Sequence, residues 1–143
     1  SEYICLPDDP IYGSKSRTLS SPESNVYGAE YNGGSSAWGD HSAYQDAPCA
    51  VCRSHESTAL MIPGRNMCYT GWTMQYKGYL ASSFYNHAAQ YNYVCVDEHA
   101  EYLPGGSRTD YGALFYPVVG KCGSLKCPPY KDSQYLTCVV CTK

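Results

Sequence analysis

Polar and small residues break the chain about every 8 to 12 positions, and between these breaks lie short runs rich in Tyr, Val, Ile and Thr. Such runs, bounded by turn formers, predict strands at residues 2–6, 25–31, 49–53, 58–62, 73–80, 91–96, 112–119 and 135–142. The stretches 13–24 and 32–44, the second containing GGSSAWGDHS, lack periodicity and read as loops. Helical spacing is hard to find anywhere. The predicted fold class is mainly β.

The runs also repeat. EYICLPDDPIY at 2–12 aligns with NYVCVDEHAEY at 92–102, setting Cys5 on Cys95 and Tyr12 on Tyr102. NVYGAEY at 25–31 aligns with TDYGALF at 109–115, and AYQDAPCAVCRS aligns with PYKDSQYLTCVVCTK at the chain's last residues. The spacing from Cys5 to Cys49 differs by one residue from that between Cys95 and Cys138. The expectation is a small disulfide-stabilised domain built from two related β-rich halves, 1–57 and 58–143, packed as one domain. Residues 58–91 have no image ahead of Ser1. The expectation is that a matching N-terminal segment, carrying the counterpart of Cys68, is missing from the first half; the alternative is a shorter first copy whose leftover cysteine is buried and free.

Nine cysteines in 143 residues point to an oxidising compartment and a disulfide framework. Cys49-Ala-Val-Cys52 and Cys138-Val-Val-Cys141 have metal-knuckle spacing, but Ala50, Val51, Val139 and Val140 fill the gaps as in a strand and no knuckle glycine is present. In a strand, positions i and i+3 face opposite ways, so each cysteine of a pair needs its own partner. Within the second half Cys68 and Cys95 take Cys138 and Cys141 in one order or the other, while Cys122 and Cys127 close a local loop. In the first half Cys5 takes Cys49 or Cys52, and the one left over is the orphan that makes the count odd.

Charge removes several function classes. The net charge is −3 with ten Lys and Arg scattered through the chain, which offers no footprint for nucleic acid. No run approaches the ~18 apolar residues of a membrane span. No nucleophile elbow, phosphate loop, HExxH or EF-hand pattern occurs, and the reading is a non-enzyme. Sixteen Tyr against two Phe give an apolar surface with hydroxyls on it, suited to polar binding faces.

The tract EYNGGSSAWGDHSAYQD, residues 30–46, sets Tyr31, Trp38 and Tyr44 among Asn32, Asp40 and His41. Aromatic faces stack on the apolar face of a sugar while amides, imidazoles and carboxylates reach its hydroxyls. Glu30, Asp40 and Asp46 add oxygens of the type calcium prefers, and calcium can coordinate vicinal sugar hydroxyls. A second surface, residues 83–102, contributes His87 and Glu98, with Tyr85, Asn86, Asp97 and His99 nearby. Trp72 begins an alternating strand and reads as core.

The phrases YICLPDDPIYG, VYGAEY, DAPCAVCRS, LMIPGRNMCYTGWTMQYKGYL, YVCVD, LPGG, YGALFYPV, CGSLKCPPY and LTCVVCTK together resemble the non-collagenous C-terminal domain of sponge short-chain collagens and its secreted relatives in cnidarians and molluscs. The resemblance covers nearly the whole chain. It implies an extracellular protein, and the proteins of this look carry a cysteine-containing stretch ahead of the YICLP element. Similar secreted proteins include sea-anemone lectins that bind terminal galactose, which implies a secreted galactose-type lectin acting on glycans. A homodimer is expected, since it makes weak single-site binding avid, and the carboxylates of residues 30–46 make calcium a candidate cofactor. The collagen-linked members imply the alternative, an extracellular matrix assembly module. No sugar-contacting position carries over residue by residue, so the site residues rest on the loops themselves.

Overall fold

Six of the eight predicted runs become strands: β1 (Ala29–Tyr31), β2 (Ala59–Pro63), β3 (Thr73–Ser82), β4 (Val94–Asp97), β5 (Ala113–Pro117) and β6 (Thr137–Thr142). The computed structural model describes residues 2–14, 24–32, 35–39, 44–88, 91–106 and 112–143. Its strands form one mixed sheet in the order β1-β5-β3-β6-β2, with β4 also on β3. The protein is mainly β and held by four disulfides.

β6 explains the arrangement. TCVVCT is apolar along its length, as a strand covered on both faces must be, and Cys138, Val139 and Cys141 are fully buried. β6 lies between β3 and β2, antiparallel to both, with Val140 opposite Tyr76 on one side and Met61 on the other. The β3 pairing slips between Met74 and Tyr76, a bulge that turns Gln75 onto the Thr142 hydroxyl at 2.8 Å. β2 and β3 thus form the two arms of a clasp around β6, and residues 64–72 make its bend.

β4 sits close on β3 because position 78 has no side chain. A Cβ on Gly78 would collide with the backbone of Val96, Asp97 and Glu98. That approach brings the Cα atoms of Cys95 and Cys138 to 5.7 Å, within disulfide range.

The disulfides are Cys5–Cys49, Cys68–Cys141, Cys95–Cys138 and Cys122–Cys127. Cys52 is a free, exposed thiol. The orphan is therefore Cys52, and neither CxxC closes on itself: Cys49, Cys138 and Cys141 each bond to a separate partner. No thiolate of a bridged pair is left for a zinc ion.

The main apolar cluster draws on both parts of the chain: Tyr31, Ala37, Trp38, Ala81, Val96 and Phe115, with Tyr3, Tyr79 and Tyr135 packed against it. Tyr3 meets Phe115 with ring centroids 5.1 Å apart. β1 pairs with β5 in parallel, Ala29 opposite Ala113 and Tyr31 opposite Phe115. These are the same residues that the internal alignment matches.

Two predicted strands do not form. Residues 2–6 and 49–53 have no strand partner among the described residues, and their side chains are mostly exposed. The stretch read as loop holds one helical turn, Ser35–Trp38. It drops Ala37 and Trp38 into the core, and the Trp38 indole N–H donates to the Asn32 carbonyl at 3.0 Å.

Candidate ligand-binding surface

An aromatic ledge lies where β3 and β5 end together. Ser82 of β3 is opposite Tyr116 of β5, and the chain then turns, the His87 N–H donating to the Phe84 carbonyl at 3.0 Å. The turn stacks Phe84 on Tyr116 at 5.1 Å between ring centroids. His87 stands edge-on to both, 5.6 Å from Phe84 and 6.0 Å from Tyr116. Tyr85 leans on Phe84 at 4.5 Å and is 82% exposed. A supported ring that keeps a face in water is a ready stacking platform.

β1 brings the other tract to the same place. The Asn32 N–H donates to the Phe115 carbonyl at 2.9 Å, which sets Asn32 next to Tyr116 along the strand. The Tyr44 N–H donates to the Tyr31 carbonyl at 2.7 Å, and Tyr31 in turn donates to Gln45. These two bonds hold Tyr44 at φ 61°, a left-handed conformation that costs a non-glycine residue about 1–2 kcal/mol. Burial, and then the nearby Tyr44 phenol, raise the Tyr116 hydroxyl above the usual 10.0. Tyr116 is therefore a neutral hydroxyl at physiological pH, able to donate and accept.

Asn32, Tyr44 and His87, expected from two separate tracts, thus converge on Tyr116. Phe84 and Tyr116 were not expected. Their convergence depends on the Ser82–Tyr116 register, which no local pattern encodes.

The remaining expected residues fall elsewhere. Tyr31 and Trp38 are 5% and 4% exposed, packed on each other at 5.9 Å, and their faces are covered. Burial, followed by Asp97 and Glu101, raises the Tyr31 phenol as well. Glu98 pairs with Lys77 at 3.3 Å. Lys77 lies five residues before Ser82 on β3, roughly 17 Å from the ledge, so Glu98 and His87 do not form one site. Asp40 and His41 lie outside the described residues.

The carboxylates named for calcium are partly assembled. Glu30 and Asp46 face each other across an antiparallel bridge, and Glu30 is buried. Opposed residues of such a pair share a face with Cβ atoms about 5 Å apart. Gly106 leaves room for the Asp46 carboxyl, since a Cβ there would run into it, while a Cβ at Gly112 would press on the Gly28 carbonyl next to β1. Two carboxylates supply at most about four of the six to eight oxygens calcium takes. Among the described residues no group of three or more His, Cys, Asp or Glu could hold a metal ion.

A separate open cleft of about 250 Å³ lies between the turn at Gly64 and residues 129–137, lined by Tyr130, Lys131, Gln134 and Tyr135. Comparison with known protein families, curated proteins and solved structures finds no match to the chain.

Proposed function

We propose that the protein is a secreted carbohydrate-binding lectin for galactose-type glycan ends, with the ledge of Phe84, Tyr85, His87 and Tyr116 as its sugar platform. The observation that carries this reading is the convergence of half-exposed rings with an imidazole and an amide at one strand end. Galactose presents a continuous apolar patch on one face of its ring and hydroxyls around the rim. Tyr85 and Phe84 take the patch; Tyr116, His87, Asn32 and Tyr44 take the hydroxyls. The resemblance to galactose-binding lectins supports the choice of sugar, and four disulfides in a small β domain fit an extracellular protein.

Calcium is the candidate cofactor, with Glu30 and Asp46 supplying carboxylate oxygens where they face each other across the bridge to β1. Homodimerisation turns weak single-site binding into avid binding. A glycan array run with and without a calcium chelator tests the proposal. Galactose-terminated glycans retained in either condition support it, and the absence of any bound sugar in both ends it.

The alternative is an extracellular matrix assembly module without sugar binding. It is favoured by the exposed apolar side chains Ile4, Leu6, Val26, Tyr27 and Val51. Matrix-protein pull-down together with size measurement separates the two readings.

A further inference from the structure

The cleft between the turn at Gly64 and residues 129–137 has a fixed backbone and unspent side chains. The Gly64 N–H donates to the Thr137 carbonyl at 2.7 Å, and the Leu136 N–H donates to the Val118 carbonyl at 2.9 Å. The Ser133 N–H donates to the Gly120 carbonyl at 2.9 Å and the Gly120 N–H to the Gln134 carbonyl at 3.0 Å. These four bonds hold both walls. Gly64 stands at φ 76°, where a side chain is strained, and a Cβ there would lie 3.5 Å from the Tyr130 hydroxyl. With no side chain at the turn, that hydroxyl stays clear on its Gly64 side.

The lining chemistry is one-sided. Tyr130 and Tyr135 contribute rings, Gln134 an amide, Thr137 a hydroxyl and Lys131 a positive charge, and no carboxylate joins them. Asp132 is spent elsewhere, on the Cys122 N–H at 3.0 Å and the Lys121 ammonium at 3.5 Å. Among the described residues Lys131 makes no ion pair, and neither the Gln134 side-chain amide nor the Tyr130 hydroxyl has a partner. A cation without a counterion, beside unused neutral donors, complements an anion that also carries hydroxyls.

The charge of the surrounding chain agrees. Residues 58–91 and 111–143, which supply both walls, carry six Lys or Arg and a single acid, Asp132, in a chain whose net charge is −3. The other acids lie on residues 1–57 and 92–110. The local field therefore draws an anion to this cleft although the chain as a whole is negative. At about 250 Å³ the cleft is just under the ~300 Å³ at which small-molecule sites begin, so it takes one ring and not a chain of them.

We propose that this cleft binds the acidic sugar unit of a glycan, one ring bearing a carboxylate or a sulfate ester. Lys131 takes the anion, the Gln134 amide and Tyr130 hydroxyl take ring hydroxyls, and the Tyr130 ring, 40% exposed, takes the sugar's apolar face. Tyr135, held edge-on by Tyr79 at 6.2 Å, closes the other side. The cleft shares no residue with the ledge of Phe84, Tyr85, His87 and Tyr116, so the inference stands apart from galactose binding.

The test is an amide chemical-shift titration of the whole chain with glucuronic acid and galactose 6-sulfate, run against galactose and inorganic sulfate. Both acidic sugars should shift the amides of Gly64, Lys131 and residues 134–137, bind there more tightly than either comparison compound, and weaken as salt is added. Lys131→Gln should lower this affinity about fivefold, the worth of one exposed ion pair. Lys126→Gln, the same charge loss outside the lining, and Tyr85→Ala on the ledge should leave it unchanged. Absence of shifts at those amides with both acidic sugars overturns the proposal. So does inorganic sulfate that binds as tightly as galactose 6-sulfate, or an equal loss in Lys131→Gln and Lys126→Gln. Failure of galactose on the glycan array, with these shifts present, ends the ledge reading alone.

Discussion

Removing the Cys68–Cys141 bridge tests how far the clasp holds the fold together. The bridge spans 73 residues, and the loop-closure relation assigns such a span about 4.4 kcal/mol at 25 °C. The same relation gives the Cys122–Cys127 bridge, which spans 5 residues, about 2 kcal/mol. Cys141 is fully buried, so loss of its sulfur adds roughly 1 kcal/mol of cavity cost, which the exposed 122–127 loop does not incur. The measurement is urea unfolding of Cys68→Ala/Cys141→Ala and of Cys122→Ala/Cys127→Ala, both on a Cys52→Ser background so that no free thiol reshuffles. With a slope of about 2 kcal/mol per molar urea, the first pair lowers the midpoint by roughly 2.5 M and the second by about 1 M. Equal shifts, or a larger one for the short loop, would refute the reasoning that the long bridge constrains the unfolded chain.

Three further outcomes are expected. Tyr85→Ala removes an exposed ring, so it leaves the urea midpoint within error while weakening glycan binding about five- to tenfold, the worth of one stacked ring; glycan-array titration beside the unfolding curve checks both halves. Gly78→Ala forces β4 off β3 and costs about 3 kcal/mol or more, read as a lower urea midpoint and incomplete Cys95–Cys138 formation. The Cys122 N–H donates to Asp132 at 3.0 Å, and that bond, then Lys121, holds the carboxyl below its usual 3.8. A depressed folded value means the contribution is present above pH 3.8 and is lost as pH falls through the lower folded value. The Cys122 amide should therefore lose exchange protection only in that acid window, and in Asp132→Asn it should exchange faster across the whole range.

Strand formation was legible wherever a pattern met a partner. TMQYKGYLAS and TCVVCT alternate or run apolar, and each finds neighbours on both sides. CAVC at 49–52 carries the same local preference and stays unpaired, because a strand is an agreement between two segments and composition shows only one of them. The disulfide framework was legible from the repeat, including an orphan at Cys49 or Cys52. Trp38 was not: small flanking residues in SSAWGD permit a solvent-facing platform or a core plug, and the choice rests on Tyr31 packing against it, itself packed on Phe115. The ledge was half legible, since Asn32, Tyr44 and His87 carry suitable chemistry in sequence, while Tyr116 joins them only through strand register.

The placement of β6 between β2 and β3 also governs the timing of oxidation. The two arms of the clasp do not bond to each other; they wait for a strand that lies more than fifty residues further along the chain. Contacts of such long sequence separation form late. Cys122 and Cys127 can close as soon as both have emerged, whereas Cys68 must stay reduced until residues 137–142 are threaded into place. During that interval the Cys68 and Cys141 thiols stay open to exchange, and the burial of Cys141 between β2 and β3 closes that window.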